Sequence, residues 1–138
     1  MQALTDILTR EKLSLVIRDT RGTVRRFTGR GVSDLYRLYR DEPDVLRGAE
    51  VVDKVVGRGA AALIVAGGVK RLHALTLSRA AEQLLNASEV DFTTDHLVNN
   101  IIRRDGQGIC PVELATIGKN TVDECIEAIT DFLKKQNV

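Results

Sequence analysis

Cysteine is scarce in this 138-residue chain. Cys110 and Cys125 are too few to suggest a disulfide framework, and two free thiols fit a reducing compartment. Long apolar runs are missing as well. The longest, Ala60 to Val69, is interrupted by Gly67 and Gly68 and falls far short of the roughly 20 residues a spanning helix needs. Met1 to Leu8 includes the acidic Asp6 and holds no stretch of signal-peptide length. The expected setting is therefore cytoplasmic, with no membrane partner. Charge of one sign is absent too, since 20 Lys and Arg stand against 19 Asp and Glu for a net charge of +1. Such a balance makes no strong field for a polyanion and disfavours general nucleic-acid binding. Histidine is limited to His73 and His96. They are isolated from each other and from Cys110 in sequence, without ligand spacing, so neither a metal nor another cofactor is expected.

What is present is the composition of a folded domain. Hydrophobic residues make up 43% and charged residues 28%, and the length suits one compact domain over 1–138. Leu4, Ile7 and Leu8 share a helical face. Leu13, Leu15 and Ile17 then alternate with Ser14, Val16 and Arg18, and Asp19-Thr20-Arg21-Gly22 supplies a turn before Thr23 to Thr28 returns as the second strand of a hairpin. Arg18, Arg21, Arg25, Arg26 and Arg30 crowd this hairpin, either as a solvated face or as a local anion patch. Ser33 can cap a helix carrying Leu35, Leu38 and Tyr39, with Pro43 at its end.

Ala60 to Ala66 is small and apolar on nearly every side, the pattern of a buried helix. Lys70 to Leu77 reads as a strand, Ser78 as the cap of a helix through about Asn86, and Glu89 to Thr93 as another strand. For His96 to Ile102, periodicity does not separate helical turn from strand. Thr121 with Glu124 forms a capping box ahead of the apolar stripe Val122, Cys125, Ile126, Ile129, Phe132 and Leu133. A hairpin followed by alternating helices and strands predicts a mixed sheet covered on both faces.

Two segments carry chemistry. Gly57-Arg58-Gly59-Ala60-Ala61-Ala62 has the spelling of a dinucleotide fingerprint, but the acidic residue expected after the next strand is replaced by Thr76-Leu77-Ser78. Small residues that let a helix lie close on a sheet explain the run as well. Lys54 and Arg58 would place positive charge near this helix start, which suits a phosphate. The sharper segment is Arg103-Arg104-Asp105-Gly106-Gln107-Gly108-Ile109-Cys110-Pro111-Val112-Glu113. With Cys110 at the N-cap and Pro111 at the first helical position, Glu113 falls third, where a carboxylate complements the dipole and reaches back to backbone donors. A thiol at such a start, beside Arg103 and Arg104, is placed as a nucleophile or redox thiol. The alternative is a small buried hydrophobe. For Cys125, on the apolar stripe, the core reading holds. Asp105 is a turn-former whose side chain can orient either arginine.

Taken together, Asp53 to Ala61, Gly67-Gly68-Val69, Leu77 to Ala81 and Arg103 to Glu113 resemble a family of small uncharacterised prokaryotic proteins known only as a domain of unknown function. The likeness runs from about Lys12 to Gly118, and its most specific part is the Gly-x-Cys-Pro-x-Glu ending. It implies a cytidine-deaminase-like fold, a three-layer α/β/α sandwich with a mixed sheet. Zinc deaminases open their first core helix with His or Cys, any residue, then Glu, and the next with Pro-Cys-x-x-Cys. Here those starts read Gly57-Arg58-Gly59-Ala60 and Leu77-Ser78-Arg79-Ala80, so both ligand sets are missing and zinc-dependent deamination does not carry over.

The resulting expectation is a nucleoside- or nucleotide-like ligand in the ancestral cleft, held by Lys54, Arg58, Ser78, Arg103, Arg104 and Asp105 near helix starts. An enzymatic alternative makes Cys110 the nucleophile, with Glu113 or Asp105 as proton acceptor and Arg103 or Arg104 stabilising negative charge. A regulatory or scaffold role is the third. Self-association, if it occurs, is expected as a homodimer.

Overall fold

The computed structural model describes residues 1–29, 32–103 and 105–136. Arg30 and Arg104, both named above, lie outside the described residues. Apolar alternation and turn chemistry place the first elements. Helix α1 (Gln2–Arg10) leads into strands β1 (Leu15–Arg18) and β2 (Val24–Phe27), paired antiparallel with Leu15 opposite Phe27. The turn between them is held by Asp19, whose Oδ1 accepts from the backbone N–H of Arg21 at 2.9 Å and of Thr23 at 3.0 Å. Gly22, at φ +88°, supplies the left-handed backbone that closes it.

Helices α2 (Ser33–Asp41) and α3 (Pro43–Leu46) follow. Pro43 was expected to mark the end of α2. It does so, since α2 stops at Asp41, and it also opens α3, where its missing N–H is harmless at the first helical position. Strand β3 (Glu50–Val56), helix α4 (Arg58–Ala66), strand β4 (Arg71–Ser78), helix α5 (Arg79–Asn86) and strand β5 (Asp91–Val98) form two successive crossover units. The chain closes with α6 (Pro111–Ala115) and α7 (Val122–Gln136). The stretch left open at His96 resolves as strand through Val98, because β5 stays in parallel register with β4 from Arg71 opposite Asp91 to Ser78 opposite Val98.

The sheet has five strands in the order β2-β1-β3-β4-β5. β1 runs antiparallel to β3, while β3, β4 and β5 are parallel, so the sheet is mixed. Its two faces are covered unequally. Leu15, Ile17, Val51, Leu72 and Ala74 pack beneath Leu35 and Leu38 of α2, Leu63 and Ile64 of α4, Leu85 of α5 and Ile129 of α7. On the other face Val16 and Val52 pack with Leu13 and with Leu4 and Leu8 of α1. The parallel strands direct the starts of α4 and α5 to one end of the sheet, the usual place for ligands in open α/β sheets.

The basic hairpin is largely neutralised: Arg18 pairs with Glu50, Arg25 with Glu42 at 3.3 Å and Arg26 with Glu11 at 3.1 Å. Among the described residues, no helix is long and apolar enough to cross a membrane.

Ile64 is fully buried at the centre of the larger cluster. Ile64→Ala is expected to lower unfolding free energy by about 2–5 kcal/mol in urea denaturation, through lost apolar contact and an unfilled cavity. A loss below about 1 kcal/mol would show that this helix is not seated as described.

Candidate functional site

An acid in the middle of an apolar strand starts the site. β3 reads Val51-Val52-Asp53, and its alternation puts Asp53 on the same side as Val51, toward the helix-rich face. Asp53 is only 8% exposed. Burial pushes its carboxyl up to about 7, while the backbone N–H groups of Val55 and Lys54 pull it back and the nearby Asp34 pushes it further up. The Val55 N–H lies 3.4 Å from Oδ1, a long bond that compensates little. Among the described residues no side chain hydrogen-bonds to Asp53. An acid shifted by burial and by a neighbouring carboxylate, in a cleft, is a candidate for function.

That cleft has a volume of about 550 Å3 and lies between the end of β3, the entry to α2 and the α6–α7 segment. Val32, Ala60, Val112, Phe132 and Leu133 give it apolar walls; Lys54, Arg103, Asp105 and Cys110 add polar and charged groups. Lys54 is exposed. Arg103 is paired with Asp105 at 2.8 Å. Cys110 is half-buried at the N-cap of α6, its backbone N–H donating to Ile101 O at 2.8 Å.

Glu113 assembles this side of the cleft. It is 7% exposed, third in α6 as its spacing predicts, yet its carboxylate does not cap its own helix. Oε1 accepts from the backbone N–H of Arg58 at 2.8 Å, and Oε2 accepts from the backbone N–H of Ile101 at 3.2 Å. Arg58 is the first residue of α4, so the carboxylate satisfies one of that helix's orphan donors and complements its dipole. Gly57 makes room: a Cβ there would meet Glu113 Oε1 at 2.6 Å. A Cβ on Gly59 would meet Val112 Cγ1 at 2.9 Å. The glycines of the fingerprint-like run thus serve close packing of α6 on α4, where the sequence pointed to close packing of the helix on the sheet.

Two expected ligand groups point elsewhere. Ser78 is fully buried, its Oγ accepting from the backbone N–H of Ala81 at 3.2 Å as the cap of α5. The Arg58 guanidinium donates to Thr116 O at 2.7 Å. Neither lines the cleft, and the start of α4, expected to suit a phosphate, already holds the Glu113 carboxylate. Glu113 is equally ill placed as a base for Cys110, because both of its oxygens accept main-chain bonds. Cys125 is fully buried beside α4, as its stripe position predicts, and burial pushes its thiol up. Asp53, part of the Asp53 to Ala61 motif, is not among the ligand groups the sequence points to. The signal that singles it out was visible, an acid flanked by Val51-Val52 and Val55-Val56 in a strand with helices over it.

The sequence model of a family described as Domain of unknown function (DUF1893) matches residues 3–133. The solved structure of a DUF1893 family protein from Thermotoga maritima is similar with a TM-score of 0.84 and 24% sequence identity, covering 94% of this chain and 87% of that one. No curated protein matches the chain.

Two outcomes follow from the geometry. Glu113→Ala leaves two main-chain N–H groups without their acceptor and is expected to cost about 2–4 kcal/mol. Gly57→Ala is expected to cost about 1–3 kcal/mol through overlap with the same carboxylate. In the double variant the Gly57→Ala cost should largely vanish, and simple additivity in a double-mutant cycle would disprove the contact. Separately, a carboxyl at about 7 in the folded state, against about 4 unfolded, binds more protons folded than unfolded between those values. Its contribution to stability is therefore full below pH 4 and lost as pH rises toward 7. Asp53→Asn is expected to raise stability by roughly 2–4 kcal/mol at pH 8, with the gain shrinking toward pH 4; a pH-independent difference in chemical denaturation would count against the buried acid.

Proposed function

The chain belongs to the DUF1893 family, and on that premise we propose that it binds a nucleoside- or nucleotide-like small molecule in the cleft above Asp53. The observation that carries this reading is the buried Asp53, without a side-chain partner among the described residues, within a cleft of about 550 Å3. That size lies within the range of small-molecule sites, roughly 300–1,000 Å3. The apolar walls suit the faces of a heterocycle. Lys54 and Arg103 suit its anionic end, replacing the α4 start as the phosphate-facing groups.

The sheet order and the opening hairpin support a cytidine-deaminase-like assignment of the fold. A zinc site of that fold does not fit this chain. The two helix starts that would carry the ligands present Gly57-Arg58-Gly59 and Ser78-Arg79-Ala80, and among the described residues no group of three or more His, Cys, Asp or Glu could hold a metal ion. No step through zinc is assigned.

One observation favours a second, enzymatic reading: Cys110 lines the same cleft as Asp53. There the Cys110 thiol adds across a polarised C=O or C=N bond of the ligand: the new C–S bond replaces the π bond, whose electron pair passes to the heteroatom, and the thiol proton goes to a carboxylate. The carboxylate left to take its proton is Asp53, because Glu113 is occupied and Asp105 accepts from Arg103 and from the Gln107 N–H.

Binding is tested by calorimetry and thermal melting with nucleosides, nucleotides and nucleotide sugars. Occupancy at a hundred times Kd should stabilise the fold by about 2.7 kcal/mol and should shield Cys110 from alkylation. An unchanged melting temperature across the whole panel would refute the ligand-binding reading, and a Cys110 that resists alkylation until unfolding would refute the enzymatic one.

A further inference from the structure

The two ends of the cleft differ in chemistry. Inside is Asp53, 8% exposed, with main-chain N–H groups as its partners. Lys54 and Arg103 are exposed. Apolar Val32, Ala60 and Val112 line the same cleft, together with the polar Ser14, Ser33 and Gln136.

An ionised carboxylate only accepts, and it accepts best from two parallel N–H donors. Conversely, a ligand carbonyl facing either oxygen meets like partial charge. Burial favours the neutral acid, while the backbone N–H groups of Val55 and Lys54 favour the ionised form, which a second pair of N–H donors from a ligand would stabilise further.

We infer that the ligand presents to Asp53 an amidine-type donor pair, a ring N–H beside an exocyclic NH2 as on the guanine edge. This inference rests on the nucleotide-binding reading of the cleft and adds to it the choice of base. The N–H beside C=O of uracil offers one donor and one repelled acceptor. Cytosine and adenine offer a donor beside a ring acceptor, which would need Asp53 protonated. A free guanidinium or amidinium compound carries the same donor pair, so its source is settled by experiment.

Ionisable and charged groups around Asp53 are Asp34 of α2, Lys54 of β3, Arg103 and Asp105 of the following loop, and Cys110 and Glu113 at α6. Of these Asp34 opposes ionisation, in the same direction as burial. A donor-pair ligand draws the acid into its carboxylate form.

The test titrates full-length protein and Asp53→Asn with GMP, IMP, UMP, CMP and agmatine. IMP lacks only the exocyclic amino group. GMP is expected to bind at least about tenfold tighter than IMP, because the missing donor leaves one carboxylate oxygen unpaired. In Asp53→Asn the GMP preference should fall to near unity, with melting curves confirming that the variant is folded. The ratio of wild-type to Asp53→Asn affinity for GMP should rise from pH 6 to 8, a comparison in which titration of the ligand phosphate cancels. Equal binding of GMP and IMP by the wild-type protein, or tightest binding of CMP with affinity falling as pH rises, overturns the inference while the cleft remains a nucleotide site. Agmatine binding without GMP supports the donor pair and overturns the nucleotide reading. Failure of all five probes overturns both.

Discussion

The Glu113 carboxylate is the interaction on which the rest of the site depends. It spans from a short helix near the end of the chain to the first N–H of α4 and to the N–H of Ile101 after β5. Those three segments are far apart in sequence. A helix of five residues has little stability of its own, and the buried charge-assisted bonds, with the Arg58 to Thr116 contact beside them, hold it in place. Gly57 and Gly59 are the counterpart on α4, since any side chain there would push α6 away. One wall of the cleft, including Cys110 and Val112, stands where it does because of this contact.

The same contact explains why the helix start is not the anion site. Helix dipole and orphan donors attract a negative group, and the protein supplies one from its own chain. With that position filled, the buried acid lining the cleft is Asp53, the residue on which the proposed binding rests. Its burial raises the free energy of the ionised form, which hydrogen-bond donors facing the carboxylate would lower. In the proposed function, binding and stability are coupled through this one side chain.

Much of the fold was legible in the sequence. Alternation at Leu13 to Ile17, the Asp19 to Gly22 turn, the Ser78 cap and the α7 stripe each depend on near neighbours, and each element formed where its pattern pointed. Strand β5 was half legible: its second half, from His96, carries a mixed pattern on a sheet edge, and only pairing with β4 extends it. In the site, the third-position placement of Glu113 was readable, but its partners were not, because contacts to Arg58 and Ile101 depend on tertiary packing. For the same reason Arg58 and Ser78, sensible as anion ligands from their helix positions, turn inward to protein carbonyl and amide groups. Asp53 was legible in principle as a lone acid among valines.

The central claim is that Asp53 is a buried acid held ready for a donor-bearing ligand, and it can be measured at that one atom group. A pH titration of the Asp53 carboxyl carbon by NMR, in free protein and with GMP, reads it directly. The account predicts a midpoint near 7 in the free protein that falls when GMP binds, since the ligand favours the carboxylate. A midpoint near the ordinary value of about 4 in the free protein, unmoved by GMP, would contradict it.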